Sequence, residues 1–130
     1  MLELLFCALG GSIGSVMRHM LSTHIHKLSA SGFPWGSLNV NLIGSLVIGL
    51  LWGISENFEI APNLRIFLMV GLLGSFTTFS TFSMENFQLM KDGHIGFVVI
   101  NIITSNIGGI GLAFAGFFIA KSLFTTATQS

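Results

Sequence analysis

The chain has 130 residues, 52% of them apolar and 8% charged, against about 25% charged in a water-soluble domain, so a conventional soluble fold is excluded. Arg18, Arg65, Lys27, Lys91 and Lys121 balance Glu3, Glu56, Glu59, Glu85 and Asp92 to a formal charge of zero, which removes the basic footprint that a nucleic-acid binder needs. Cys7 is the single cysteine; it supplies neither an internal disulfide nor a thiolate metal cluster, and a small buried apolar residue is its simplest role.

A membrane span needs about 20 mostly apolar residues, and four stretches approach that length: 2–21, 37–54, 64–90 and 95–124. The chain start lacks the basic n-region of a secretory signal peptide, so 2–21 is read as a retained span. Gly10 and Gly14 within it are a small-xxx-small pair, as are Gly49 and Gly53 in the second span; both predict helix against helix without saying which helix. Arg18 lies one and two turns beyond that first pair and is either an interfacial anchor or a source of positive potential in a watery vestibule. The connection 22–36 is rich in Ser, His, Gly and Pro, 55–63 carries Glu56, Glu59 and Pro62, and 91–93 is a tight polar turn. One four-helix transmembrane domain over residues 1–130 is expected, with no soluble domain, and 125–130 is expected to be a frayed tail.

Asn39 and Asn41 point about 200° apart on a helix, so only one can face a given pathway and the other is expected to hold helices together. Asn101, Thr104, Ser105 and Asn106 give the fourth span a comparable polar stripe. The third span is the unusual one: Gly71-Leu72-Leu73-Gly74-Ser75-Phe76-Thr77-Thr78-Phe79-Ser80-Thr81-Phe82-Ser83 places two glycines and six hydroxyl residues at membrane depth. Such clustering predicts a helix broken near its middle, whose freed carbonyls must meet protein groups or a bound cation. Gly74 with Thr77 would offer carbonyl oxygens three residues apart, half of a hard-cation cage that a two-fold partner completes.

Phe76, Phe79 and Phe82 recur every three residues, with Ser80 and Ser83 beside them. An aromatic stripe at this spacing is ordinarily core or lipid-facing surface. The interleaved hydroxyls give it a second reading, because phenyl edges and O–H donors both suit a dehydrated anion without trapping it.

Arg65 and Lys121 fall on one side of the membrane, Lys27 and Lys91 on the other, with Arg18 joining the latter if it snorkels. So small a bias gives the positive-inside rule nothing to act on, and insertion in both orientations as an antiparallel, dual-topology homodimer is expected. A fixed topology set by a partner or by weak biases stays as the alternative.

The runs Gly10-Gly11-Ser12-Ile13-Gly14-Ser15 with Arg18, Gly36-Ser37-Leu38-Asn39-Val40-Asn41-Leu42-Ile43-Gly44, and Gly71 through Ser83-Met84-Glu85 closely resemble the bacterial fluoride channels of the Fluc/CrcB family. The likeness extends over all four spans, and the Thr-Thr-Phe-Ser-Thr-Phe-Ser run is its specific part. The resemblance implies a passive, fluoride-selective channel in the bacterial inner membrane that lowers cytoplasmic fluoride, built as an antiparallel dimer with two pores and one central structural sodium ion. It implies Phe79 and Phe82 as paired pore phenylalanines, Ser80, Thr81 and Ser83 as hydroxyls near the pathway, and Asn41 as a pore-lining asparagine. Arg18 would be the vestibule arginine, the carbonyls of Gly74 and Thr77 the sodium ligands, and Glu85 the acidic end of the motif. Ala113 stands where a pathway threonine is expected, which puts the lower polar track in doubt.

Two rivals are separable. A small dual-topology multidrug or cation exporter would need an embedded carboxylate in its first helix, where this chain has Glu3 at the extreme edge and glycine at position 14. A packing subunit without transport predicts no hydroxyl-rich break. Enzyme chemistry is not expected, because His19, His24, His26 and His94 lack triad or metal spacing.

Overall fold

The computed structural model describes residues 1–128 and is helical over most of them. Four helices are long and apolar enough to cross a membrane among these residues: Leu2–Leu28, Trp35–Ser55, Pro62–Lys91 and Ile95–Ala127. The first runs about two turns past the expected end, because the polar stretch after Leu21 keeps its helical hydrogen bonds where apolarity no longer matters. The fourth continues to Thr128, so the expected frayed tail is corrected as far as the described residues go; positions 129–130 lie outside them. Thr125 and Thr126 stay helical by donating their hydroxyls to the carbonyls of Lys121 and Ser122.

Glycine decides which helix meets which. A Cβ on Gly10 would lie 2.3 Å from the Phe67 carbonyl oxygen and one on Gly14 2.1 Å from that of Leu72, so the first span seats directly on the backbone of the third. Gly49 and Gly53 do the same against the carbonyls of Ala113 and Phe117, and Gly116 returns the contact against Leu46, locking the second span to the fourth. The small core between these pairs holds Val40, Leu73 and Phe76. Most other large apolar side chains, Leu4, Val16, Val70 and Ile107 among them, point outward, as a lipid-facing surface requires.

The connections are tied down at both ends of the bundle. Phe33 is buried edge-on against Phe97 and tilted on Trp35, which joins the first connection to the start of the fourth span. At the third connection Gly93 has φ 82°, the left-handed position closing a helix, with the Gly93 and His94 N–H groups donating to the Met90 and Leu89 carbonyls. On the opposite end Lys121 pairs with Glu56 at 3.5 Å and the Arg65 guanidinium lies over Trp52.

The third span is broken. After a π-helical segment, Ile66–Leu73, and one α turn, Gly74–Phe76, residues Thr77 and Thr78 adopt extended dihedrals (ψ 154° and 120°) before Phe79–Lys91 resumes the helix. A second π segment, Thr104–Gly108, interrupts the fourth span. Such one-turn bulges cluster at functional sites.

Candidate ion pathway

The break is closed by side chains rather than left open. The N–H of Thr78, which in a continuous helix would bond the Gly74 carbonyl, instead donates to Asn41 Oδ1 at 2.8 Å, and Asn41 Nδ2 donates to the Thr78 carbonyl at 3.2 Å. The N–H of Thr81, the helical partner of the Thr77 carbonyl, donates to Thr78 Oγ1 at 3.2 Å, making Thr78 the N-cap of the resumed helix. The carbonyls of Gly74 and Thr77 are therefore among those that lose their helical donors at the break, and theirs have been redirected to side chains. Gly44 makes room beside them, since a Cβ there would fall 2.2 Å from the Thr77 methyl.

This geometry separates the two asparagines of the second span. Asn41 clasps the break from another helix, whereas Asn39 donates back to the Trp35 carbonyl of its own helix at 2.7 Å. The aromatic stripe divides as well. Phe76 lies before the break and belongs to the core, while Phe79 is 78% exposed and faces outward, tilted on Phe82 with ring centroids 5.7 Å apart.

Four cavities line up through the chain by shared residues. The first, about 410 Å³, lies at the end carrying the first and third connections and includes Ser22, His26, Ser37, Glu85 and Asp92. It meets a second, about 190 Å³, through Ser22 and Ser37, lined also by Arg18, His19, Thr78 and Thr81. Thr78 leads on to a third, about 350 Å³, at the break, where Asn41, Gly74, Thr77, Phe79, Phe82 and Ser105 converge. Ile48 joins that to a fourth, about 380 Å³, toward the opposite end.

The series brings together most of the residues singled out in the sequence. Asn41, Phe79, Phe82, Gly74 and Thr77 share one cavity, and Arg18 shares the neighbouring one with Thr81. Ser80 and Ser83 border neither; the Ser83 hydroxyl donates to the Phe79 carbonyl of its own helix, while Ser80 lies 3.4 Å from Thr78 Oγ1. Ala113 lies in the fourth cavity among Ile48, Trp52, Phe114, Phe117 and Phe118, a lining without side-chain hydroxyls. The polar lining thus ends near Ser105 and Asn106 within this chain.

Sequence reasoning missed three polar contacts. Ser37 is buried and donates to Glu85 Oε2, tying the second span to the third at the mouth. Asn101, 1% exposed, donates to Asn86 Oδ1 at 3.0 Å and its own Oδ1 accepts from Ser105, a buried relay between the third and fourth spans. Their signal was polarity inside apolar stretches, already noted for Asn101 and Ser105. Thr78, buried and bonded to five groups, matters more at the break than any hydroxyl beyond it.

A family model described as CrcB-like protein, Camphor Resistance (CrcB), matches residues 5–117. The chain belongs to the CrcB family. Among curated proteins it is similar to a fluoride-specific ion channel of Parabacteroides distasonis, 38% identical over 125 residues, covering 96% of this chain and 98% of the relative. A fluoride-specific ion channel of Leptospira interrogans is 43% identical over 121 residues, 92% and 95% of the two chains. One of Shewanella piezotolerans is 42% identical over 106 residues, 82% and 85%. The resemblance drawn from the glycine, asparagine and Thr-Thr-Phe-Ser-Thr-Phe-Ser motifs is thereby borne out, and with four spanning helices this CrcB member is a multi-pass membrane protein.

Proposed function

We propose that this chain is a fluoride-selective channel, passing fluoride passively down its gradient and so lowering cytoplasmic fluoride across the bacterial inner membrane. The observation that carries the reading is the cavity series: it runs from a polar mouth past Arg18 to a helix break whose lining holds O–H and amide groups and two phenyl rings. Fluoride is small and strongly hydrated, so it gives up water only where short-range donors replace it. Hydrogen bonds to a charged partner contribute about 1.5–3 kcal/mol each, and several in series can partly replace a hydration shell while leaving exit open. Phe79 and Phe82 add ring edges of positive sign, and a larger halide gains less from both because its charge stays farther from the donors.

One chain leaves this route unfinished. Phe79 projects from the surface and the fourth cavity has no hydroxyl of its own, which fits completion by a second, antiparallel copy inserted in the opposite orientation. The same symmetry would bring together two copies of the Gly74 and Thr77 carbonyls, whose helical donors are redirected by Asn41 and Thr78. Four neutral oxygens suit a monovalent hard cation better than calcium or magnesium, which recruit carboxylates, and sodium as a buried structural ion is the reading that follows. With their helical donors redirected, these carbonyls are a donor set that fits such an ion. The exporter alternative is not favoured: in the first span Gly10 and Gly14 are packed on the backbone of the third, where a drug-binding carboxylate would be needed.

The test is fluoride efflux from liposomes. Phe79→Ile and Phe82→Ile keep roughly the side-chain volume and remove the ring edge; flux is expected to fall severalfold in each with dimer yield retained. Unchanged flux in both would mean that the rings only pack.

A further inference from the structure

The histidines had no role in the sequence, yet the structure puts His26 on the mouth cavity and His19 on the one behind it. The charged and titratable groups lining that mouth are few. Glu85 and Asp92 come from the third span, His26 from the first, and the stretch from Gly32 to Ser37 contributes Gly32, Pro34, Gly36 and Ser37, none of them ionisable. Behind them, on the same helix as His26, stand Arg18 and His19. Arg18 lies eight residues from His26, about 12 Å along a helix, so its field is weakened at the mouth, where a Debye length is about 10 Å at 0.1 M salt.

An anion arriving from solution thus meets two carboxylates before it meets the arginine. Ser37 donates to one of them, but a hydrogen bond does not cancel its charge. Imidazole is the side chain that gains a positive charge between about pH 8 and 5. We propose that His26 is a proton-titrated recruiting residue for fluoride, whose protonation offsets Glu85 and Asp92 at the mouth and raises the rate of anion entry. This rests on the fluoride-channel reading and adds a residue and a pH response to it. A unit charge at a separation on the order of 7 Å in a wet vestibule changes the local anion concentration about two- to threefold. The gain is confined to low fluoride, where entry limits flux, and it shrinks at high ionic strength.

The experiment measures initial fluoride efflux from liposomes holding the full chain, with pH equal on both faces, at low fluoride and low ionic strength. Protein-free liposomes supply the correction for undissociated hydrogen fluoride crossing the lipid. Flux is expected to rise about two- to threefold from pH 8 to pH 6, to be flat in His26→Gln, and in His26→Lys to stand at pH 8 where the parent stands at pH 6. His24→Gln, exposed on the same helix but away from the cavity, should follow the parent. A flat parent profile, a rise that survives in His26→Gln, or a rise abolished by His19→Gln alone overturns the assignment. Absence of fluoride flux at every pH would instead defeat the channel reading beneath it.

Discussion

Gly49→Ala tests the packing on which the route depends. A Cβ at position 49 would sit 2.1 Å from the Ala113 carbonyl oxygen, 2.9 Å from its carbon and 3.0 Å from its Cα. All three are backbone atoms of a facing helix, so no side-chain rotation relieves the clash, and the two spans must part by about 1 Å where Gly53 and Gly116 are packed as closely. Overpacking of this kind costs about 1–3 kcal/mol, and a rigid backbone neighbour puts it at the upper end. Replacing glycine in a helix returns about 1 kcal/mol of propensity. The net loss is about 2 kcal/mol, or a fall in Tm of about 6–10 °C for a chain of this size. Gly96→Ala is the matched control, because nothing lies within 4 Å of its Cβ position; it should hold or raise Tm. Thermal unfolding of the purified proteins in one detergent reads both, and equal melting of Gly49→Ala and Gly96→Ala would refute the glycine-seam account.

Three further outcomes follow from the site. Asn41→Ala removes the acceptor of the Thr78 N–H and one donor to its carbonyl and should lower stability by about 1–3 kcal/mol, since a buried N–H is left unpaired while the N-cap carbonyl keeps its helical bond; a melt within about 0.5 kcal/mol of the parent would contradict the clasp. Thr77→Ser keeps its backbone carbonyl and should retain sodium-dependent stability, whereas Gly74→Val, β-branched in the turn before the break, should weaken dimer assembly. Melting of the parent that is indifferent to exhaustive replacement of sodium by a large organic cation would argue against the ion. Reporter fusions at the C-terminus should signal from both faces of the membrane, given Arg65 and Lys121 against Lys27 and Lys91; signal from one face only would sink dual topology.

Hydropathy located the four spans to within a few residues except at helix ends. There the first span ran on through a polar stretch and the fourth through threonines that bond their own helix. Helices project beyond hydrocarbon wherever backbone bonds persist, and composition is blind to that. The break was legible because glycine, serine and threonine crowd into 71–83, yet its closure was not: that Asn41 rather than Asn39 reaches Thr78 depends on helix rotation, which two weakly amphipathic neighbours leave undetermined. The phenylalanine stripe misled at one point, because period-three spacing presumes a continuous helix and the break at Thr77 and Thr78 turns Phe76 into the core and Phe79 out of it. The glycine pairs announced close contacts, and only the fold could name Phe67, Leu72, Ala113 and Phe117 as the facing carbonyls. Ser37 with Glu85, and Asn86 with Asn101, stayed hidden because each joins residues far apart in the chain or across a turn.

The most direct test of the central claim is halide discrimination. Purified protein in liposomes, loaded in turn with fluoride and with chloride and followed by ion-selective electrodes, should release fluoride rapidly and chloride no faster than protein-free liposomes. Equal release of the two halides would contradict a route built on short-range hydroxyl, amide and phenyl-edge donors.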